Sequence, residues 1–192
     1  MTLKIRKYKN TVQSLAAILP DKSDAEWLVA IYLSLGTAEE LGYKEDSYAR
    51  LDRKTRNEGN ADMLSKDSLQ FPASSDITKK WLAGHYFNNA LFRMVALSEI
   101  SLRTLFYREA KMSPNLEPPI NYWWLVDWYE GKFERKLKYI HKARRRVNKF
   151  KHDPRERQGP KALETLGDGF LALEELLLLM SVLATPPELA EG

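Results

Sequence analysis

There is no cysteine in this chain of 192 residues. That absence excludes disulfides, thiolate nucleophiles and Cys-ligated zinc, and it fits the reducing cytoplasm in which we expect the protein. Histidine is scarce as well: there are three, at positions 85, 141 and 152. None pairs with a carboxylate at the spacing of a metal site, so neither metal nor cofactor is expected. A phosphate-cradling glycine loop is missing too, because "GDG" at Gly167 to Gly169 lacks the preceding strand and the lysine that such a loop needs. No uninterrupted apolar run approaches the roughly 20 residues that span a bilayer. The N-terminal "MTLKIRKYKN" has no apolar core ahead of a cleavage site, so no secretory signal and no membrane association are expected. Nowhere does the chain alternate apolar and polar residues as a half-buried strand would.

What is present is helical periodicity. With 44% apolar and 29% charged residues, the composition is that of one soluble globular domain, taken as residues 1–192. Residues 1–22 read as an N-terminal extension, 44–74 as an irregular polar insertion with a helical stub ending near Gly59, and 186–192 as a tail. A first helix starts with Ser23 as its N-cap and carries Trp27, Ile31, Leu35, Ala38 and Leu41 at steps of three and four. A long second helix covers about 75–111. Phe87, Leu91, Val95 and Leu102 share one face of it, and Phe92, Ala96 and Ile100 extend that face. Apolar residues over so much of its circumference make it central to a bundle. "MSPNLEPPI" then breaks the chain, and "NYWWLVDWYEG" follows as a short aromatic helix or turn in which Trp123, Trp124 and Trp128 are packing or dimer residues.

A basic third helix is predicted over about 132–151, with Phe133, Leu137, Ile140, Val147 and Phe150 as its apolar stripe. It should stop near His152, because Asp153 precedes Pro154 and avoids helical backbone. The last helix begins near Pro160 and is apolar almost all round from Phe170 to Ala184, as a core helix or one shared between two subunits would be. The predicted class is therefore all-α, a four-helix bundle with a long central helix and extra short helical segments.

Charge is concentrated in one place. From Gly131 to Pro160 there are twelve Lys or Arg against three acids, a local net of +9 in a chain whose total is +4. A basic patch of this kind is the footprint of a polyanion, nucleic acid first. On a continuous helix Arg145 and His152 lie within about 20° of each other, with Asn148 within about 60° of either. Arg146 is the rival arginine if the last turn unwinds. A histidine in the last turn gains from the helix dipole when protonated, while the neighbouring cations oppose protonation. Such an imidazole exchanges protons near neutrality, and an arginine beside it can hold a phosphate bidentately.

These residues, the helical pattern over about 24–184 and "HYFNNALFRMVALSEISLRTLF" together resemble the HEPN superfamily (higher eukaryotes and prokaryotes nucleotide-binding domain). The motif covers Arg146, the five residues "VNKFK" and His152, or Arg145 with six intervening. It departs from the commonest form, since Val147 rather than a polar residue follows Arg146. The resemblance implies a four-helix bundle that pairs as a homodimer, and metal-independent RNA cleavage with the ribose 2′-hydroxyl as nucleophile. It also implies a defence or toxin–antitoxin setting, with an antitoxin or other protein partner. Carried over, His152 is acid or base, Arg145 or Arg146 stabilises the transition state, and Asn148 positions the phosphate. Arg144, Lys149, Lys151 and Arg155 would hold the RNA backbone. On the second helix His85, Asn89 and Arg93 step by four near Asn88 and Glu99, as a buried network or a cleft wall; Arg93 and Glu99 are supporting candidates for the site. The alternative is a noncatalytic helical module that binds RNA or a protein. A DNA reader is a weaker third reading, because no short helix and glycine turn precede the basic helix.

Overall fold

The computed structural model describes residues 3–44, 76–111, 121–152 and 165–185; for 76–78, 81 and 149–152 it describes the backbone alone. The described chain is all-α. A 3-10 turn (Lys4–Tyr8) leads into α1 (Lys9–Ile18), followed by α2 (Lys22–Glu40), α3 (Asp76–Glu109), α4 (Tyr122–Phe133), α5 (Lys138–His152) and α6 (Leu166–Ala184). Among the described residues there is no strand, and no helix is long and apolar enough to cross a membrane. The predicted insertion at 44–74 and the tail at 186–192 lie outside the described residues, apart from Lys44.

Helix α3 is the axis of the structure and packs against α2, α5 and α6, with α6 also touching α5. At 34 residues it extends about 50 Å. Phe87, Leu91, Met94, Leu97, Leu102 and Leu105 are fully enclosed along it. In the predicted extension of its apolar face, Phe92 and Ile100 are partly exposed. Helix α6 supplies the densest apolar face, with Leu173, Leu176, Leu179 and Met180 enclosed, while Leu171 and Leu178 look outward.

Several boundaries differ from the sequence reading, each for a nameable reason. Helix α2 is capped by Asp21, whose Oδ1 accepts from the Ser23 amide at 2.7 Å, so the cap stands two residues earlier than Ser23. The N-terminal segment is no loose extension, because Ile5, Tyr8, Val12 and Leu15 are buried. The Glu39 carboxylate also accepts from the Lys4 and Ile5 amides at 2.8 and 2.9 Å. The basic helix does not begin at 132. Glu134 adopts left-handed backbone (φ 54°) and ends α4, and α5 starts at Lys138.

Two glutamates from other turns of the fold hold that break in place. Glu130 accepts from the Leu137 amide at 2.9 Å, and Glu175 of α6 accepts from the Tyr139 and Ile140 amides at 2.8 and 2.9 Å. Carboxylates on orphan N–H groups complement the helix dipole. They fix where α5 starts and therefore which way its arginines face. At the other end of α6, Arg108 caps the helix by donating to the carbonyls of Val182, Leu183 and Thr185.

Helix α6 approaches α3 closely at Gly169. A Cβ built there would stand 2.7 Å from Cε2 of Phe87, a fully enclosed ring stacked on Tyr43 at 4.2 Å. Because neither ring can step aside cheaply, Gly169→Ala is expected to destabilise the fold by about 1–3 kcal/mol. Chemical unfolding checks this; a variant as stable as the wild type would mean that α6 stands further from α3.

Candidate nucleic-acid interface

Three consecutive arginines on α5 point into three different environments, as the 100° step of a helix requires. Arg146 turns inward and is only 5% exposed. Its Nε donates to Asn88 Oδ1 at 3.1 Å, its Nη2 donates to the Tyr43 hydroxyl oxygen at 3.2 Å, and its guanidinium lies 5.3 Å from the centre of the Phe87 ring. It ties α5 to α3 and to the residues that follow α2. Arg145 points outward and is exposed. Arg144 lies between the two: its guanidinium sits 3.7 Å over the Tyr122 ring, and Nη1 meets Glu99 Oε2 at 2.8 Å. Burial pushes the Tyr122 hydroxyl up to about 12, so the ring stays a neutral phenol beneath the cation.

Beside Arg144 a groove of about 340 Å³ opens between α2, α3 and α5. Trp27, Phe92, Arg93, Glu99, Arg144 and Asn148 line it. Arg144 and Asn148 are four apart and so share an edge of α5. The helical backbone continues to His152, which occupies the next position four further on. The side chains of Lys149, Lys151 and His152 lie outside the described residues, as does Arg155. Arg93 comes from α3, and its Nε donates to Asn89 Oδ1 at 3.2 Å, which uses one of its five N–H donors.

The structure thus redraws the row expected from sequence. Asn148, expected in a row with Arg145 and His152, lines the groove, and the arginine that lines it with Asn148 is Arg144, expected to hold the RNA backbone, while Arg145 is exposed outside it. Both supporting candidates, Arg93 and Glu99, reach the groove. Of the polar set on the second helix, Asn88 is consumed by the buried network with Arg146. Trp27 and Phe92 were missed as groove residues because their spacing had assigned them to core stripes. Their 36% exposure, at the border of each stripe, follows from the packing of α2 on α3 and has no signature in the spacing.

Glu99 governs the charge of this surface. Burial pushes its carboxyl up, but the bonds from Arg144 and from Arg103, whose Nη2 lies at 3.3 Å, outweigh that and hold it below the ordinary glutamate range. A carboxyl whose folded pKa is depressed contributes stability above its unfolded value, and that contribution is lost as the pH falls through the folded value. Stability should therefore drop as the pH goes below the ordinary value of 4.5, and Glu99→Gln should make that drop shallower. Unfolding midpoints measured across this range check the sign; an unchanged slope in the variant would remove Glu99 from the account. The glutamate also partly neutralises Arg144, so any anion entering the groove would compete with a carboxylate already in place.

A second aromatic cluster lies further along α5. His141 stacks on Trp123 at 4.9 Å and meets the edge of Tyr122 at 6.0 Å, with its Nδ1 buried and without a hydrogen-bond partner. Burial pushes its pKa down; Glu130 opposes this, and Arg145 and Arg144 reinforce it. His141 is neutral at neutral pH and acts as a packing residue. Phe106 meets Trp124 and Trp128 edge-on at 5.0 and 5.2 Å, in line with the packing role expected of these tryptophans. Among the described residues no group of three or more His, Asp or Glu side chains is arranged to hold a metal ion.

Fold and surface together define a class: an all-α bundle in which α2, the long central helix and the basic helix line an open aromatic and cationic groove. Comparison of the chain with protein-family models, with curated proteins and with solved structures gives no match.

Proposed function

We propose that the chain is a HEPN-like domain that binds RNA in the groove and cleaves it at the end of α5. The observation that carries this reading is the placement of Arg144 and Asn148 on the groove wall, on a helix whose backbone brings His152 to the next step of four. In this reading Arg144 and Arg93 engage the phosphate, Asn148 orients it, and exposed Arg145 adds long-range attraction. Lys149, Lys151 and Arg155 extend the contact along the strand. His152 takes the proton of a ribose 2′-hydroxyl as that oxygen attacks the adjacent phosphorus. The bond from phosphorus to the 5′-oxygen breaks, the departing oxygen takes a proton from water, and the products are a 2′,3′-cyclic phosphate and a 5′-hydroxyl. Arg146 serves the fold instead of the reaction.

The resemblance extends the proposal to a homodimer in which two grooves face each other, and to a toxin or defence role with a protein partner. Light scattering on the purified chain tests the dimer. A noncatalytic RNA-binding module is the second reading. The burial of Arg146 and the grip of Glu99 on Arg144 favour it over cleavage, because both occupy arginines that would otherwise offset charge in the transition state, while Arg93 and exposed Arg145 are left for binding.

Incubating the chain with total RNA and mapping the new ends separates the two readings. Cyclic-phosphate ends that disappear in His152→Ala support cleavage, and intact RNA that is nonetheless bound supports the module. Loss of Glu99's grip gives a further expected result: Glu99→Gln should bind single-stranded RNA more tightly by about threefold to tenfold, the net scale of one ordinary hydrogen bond. Fluorescence anisotropy measures it, and weaker binding would mean that Glu99 positions Arg144 for the ligand instead of competing with it.

A further inference from the structure

The aromatic end of the groove has no part in the phosphate chemistry assigned to its basic wall. Trp27 comes from α2 and Phe92 from α3, and both line the same concavity while remaining 36% exposed. Ile31 and Leu35 on Trp27's stripe are buried, as are Leu91 and Val95 on the face that Phe92 borders, so the two rings stand at the margin of the packed faces of α2 and α3. Single exposed apolar residues need no explanation, but two aromatic rings from different helices lining one groove together with two arginines form a binding surface. The volume, about 340 Å³, falls within the range of small-ligand sites.

We infer that this end is a subsite for an unpaired nucleobase, which stacks on Trp27 against Phe92 while its neighbouring phosphate meets Arg144 and Arg93. Asn148 carries both a donor and an acceptor, the combination that a base edge offers in return. Flat apolar rings accept any base by stacking, and the cations Arg93 and Arg144 in the same groove match the phosphate that every nucleotide carries. A paired base is stacked in its helix and cannot enter, so the substrate class is single-stranded RNA or a loop. This inference rests on the RNA-binding reading and specifies which RNA it takes.

Anisotropy of a short fluorescein-labelled single-stranded RNA, titrated with the full chain, tests it. Trp27→Ala should weaken binding about tenfold or more, the scale of one lost base–aromatic stack. Phe92→Ala, on a different helix, should weaken it in the same direction, while Trp27→Phe should restore most of the affinity. The slope of affinity against salt should not change in Trp27→Ala, because no phosphate contact is lost. Trp123→Ala, at an exposed ring outside the groove, should bind as the wild type does. A duplex of the same sequence should bind more weakly than the single strand.

Wild-type affinity in both Trp27→Ala and Phe92→Ala, or equal binding of duplex and single strand, overturns the subsite. If Arg144→Ala alone weakens binding, the RNA reading stands and the stacking subsite falls. If the wild type binds no RNA, and the groove is found to hold an apolar protein segment instead, both fall together.

Discussion

Arg146→Ala is expected to lower folding stability by about 3 kcal/mol, seen as a melting point about 6–12 °C lower. The substitution removes a 5% exposed side chain and leaves a cavity above Phe87. It also strips a donor from Asn88 Oδ1 and another from the Tyr43 hydroxyl, in a region where water does not readily replace them. Arg146→Lys should recover little of the loss, because a single ammonium cannot reproduce a planar fork that reaches both Asn88 and Tyr43 and lies over a ring. Calorimetry or chemical unfolding of the three forms checks the order. A variant as stable as the wild type that nevertheless loses RNA cleavage would move Arg146 from the fold to the reaction, and Arg144 would lose its assigned part.

His152→Ala carries the largest expected effect on activity: a fall in RNA cleavage of at least about 100-fold, the scale of general acid–base catalysis. RNA affinity should stay the same, because the imidazole is assigned a proton and not a phosphate. That combination separates His152 from Arg144, whose loss should weaken binding as well as rate. Single-turnover cleavage beside anisotropy titration makes the distinction. Equal loss of binding and rate in His152→Ala would make the histidine a contact residue.

Much of the fold was legible from residue spacing. Ile31, Leu35 and Ala38 on α2 and Phe87, Leu91 and Leu102 on α3 are enclosed, as steps of three and four require. What escaped was decided between segments distant in sequence. The start of α5 at Lys138 depends on Glu175, 37 positions away on α6, and no local signal announces that its carboxylate takes two amides of the incoming helix. That shift matters to the site less through its length than through register. Once α5 is set, Arg146 faces Asn88 and Phe87, and Arg144 is the arginine left at the groove.

The candidate site was readable as a composition and not as an arrangement. Twelve basic residues between Gly131 and Pro160 drew attention to the segment that contains α5. A run of three arginines contains one for the core, one for the groove and one for solvent, and only packing against α3 decides which is which. Trp27 shows the same limit from the apolar side: its spacing is that of a core residue, and its exposure appears only when the packing of α2 on α3 leaves it at the margin. The carboxylate of Glu99, in contrast, lay within the polar series already noted on the second helix. Its pairing with Arg144 turned a supporting residue into the group that competes with an anion for the groove.

The central claim is that RNA lies in the groove with a phosphate on Arg144. The most direct measurement is the salt dependence of single-stranded RNA binding, by anisotropy, for the wild type and Arg144→Ala. Each phosphate contact contributes about 0.7 to the slope of log affinity against log salt on a single strand, so the variant should bind more weakly with a slope smaller by about that amount. A wild type that binds no RNA, or a variant with the wild-type slope and affinity, would contradict it.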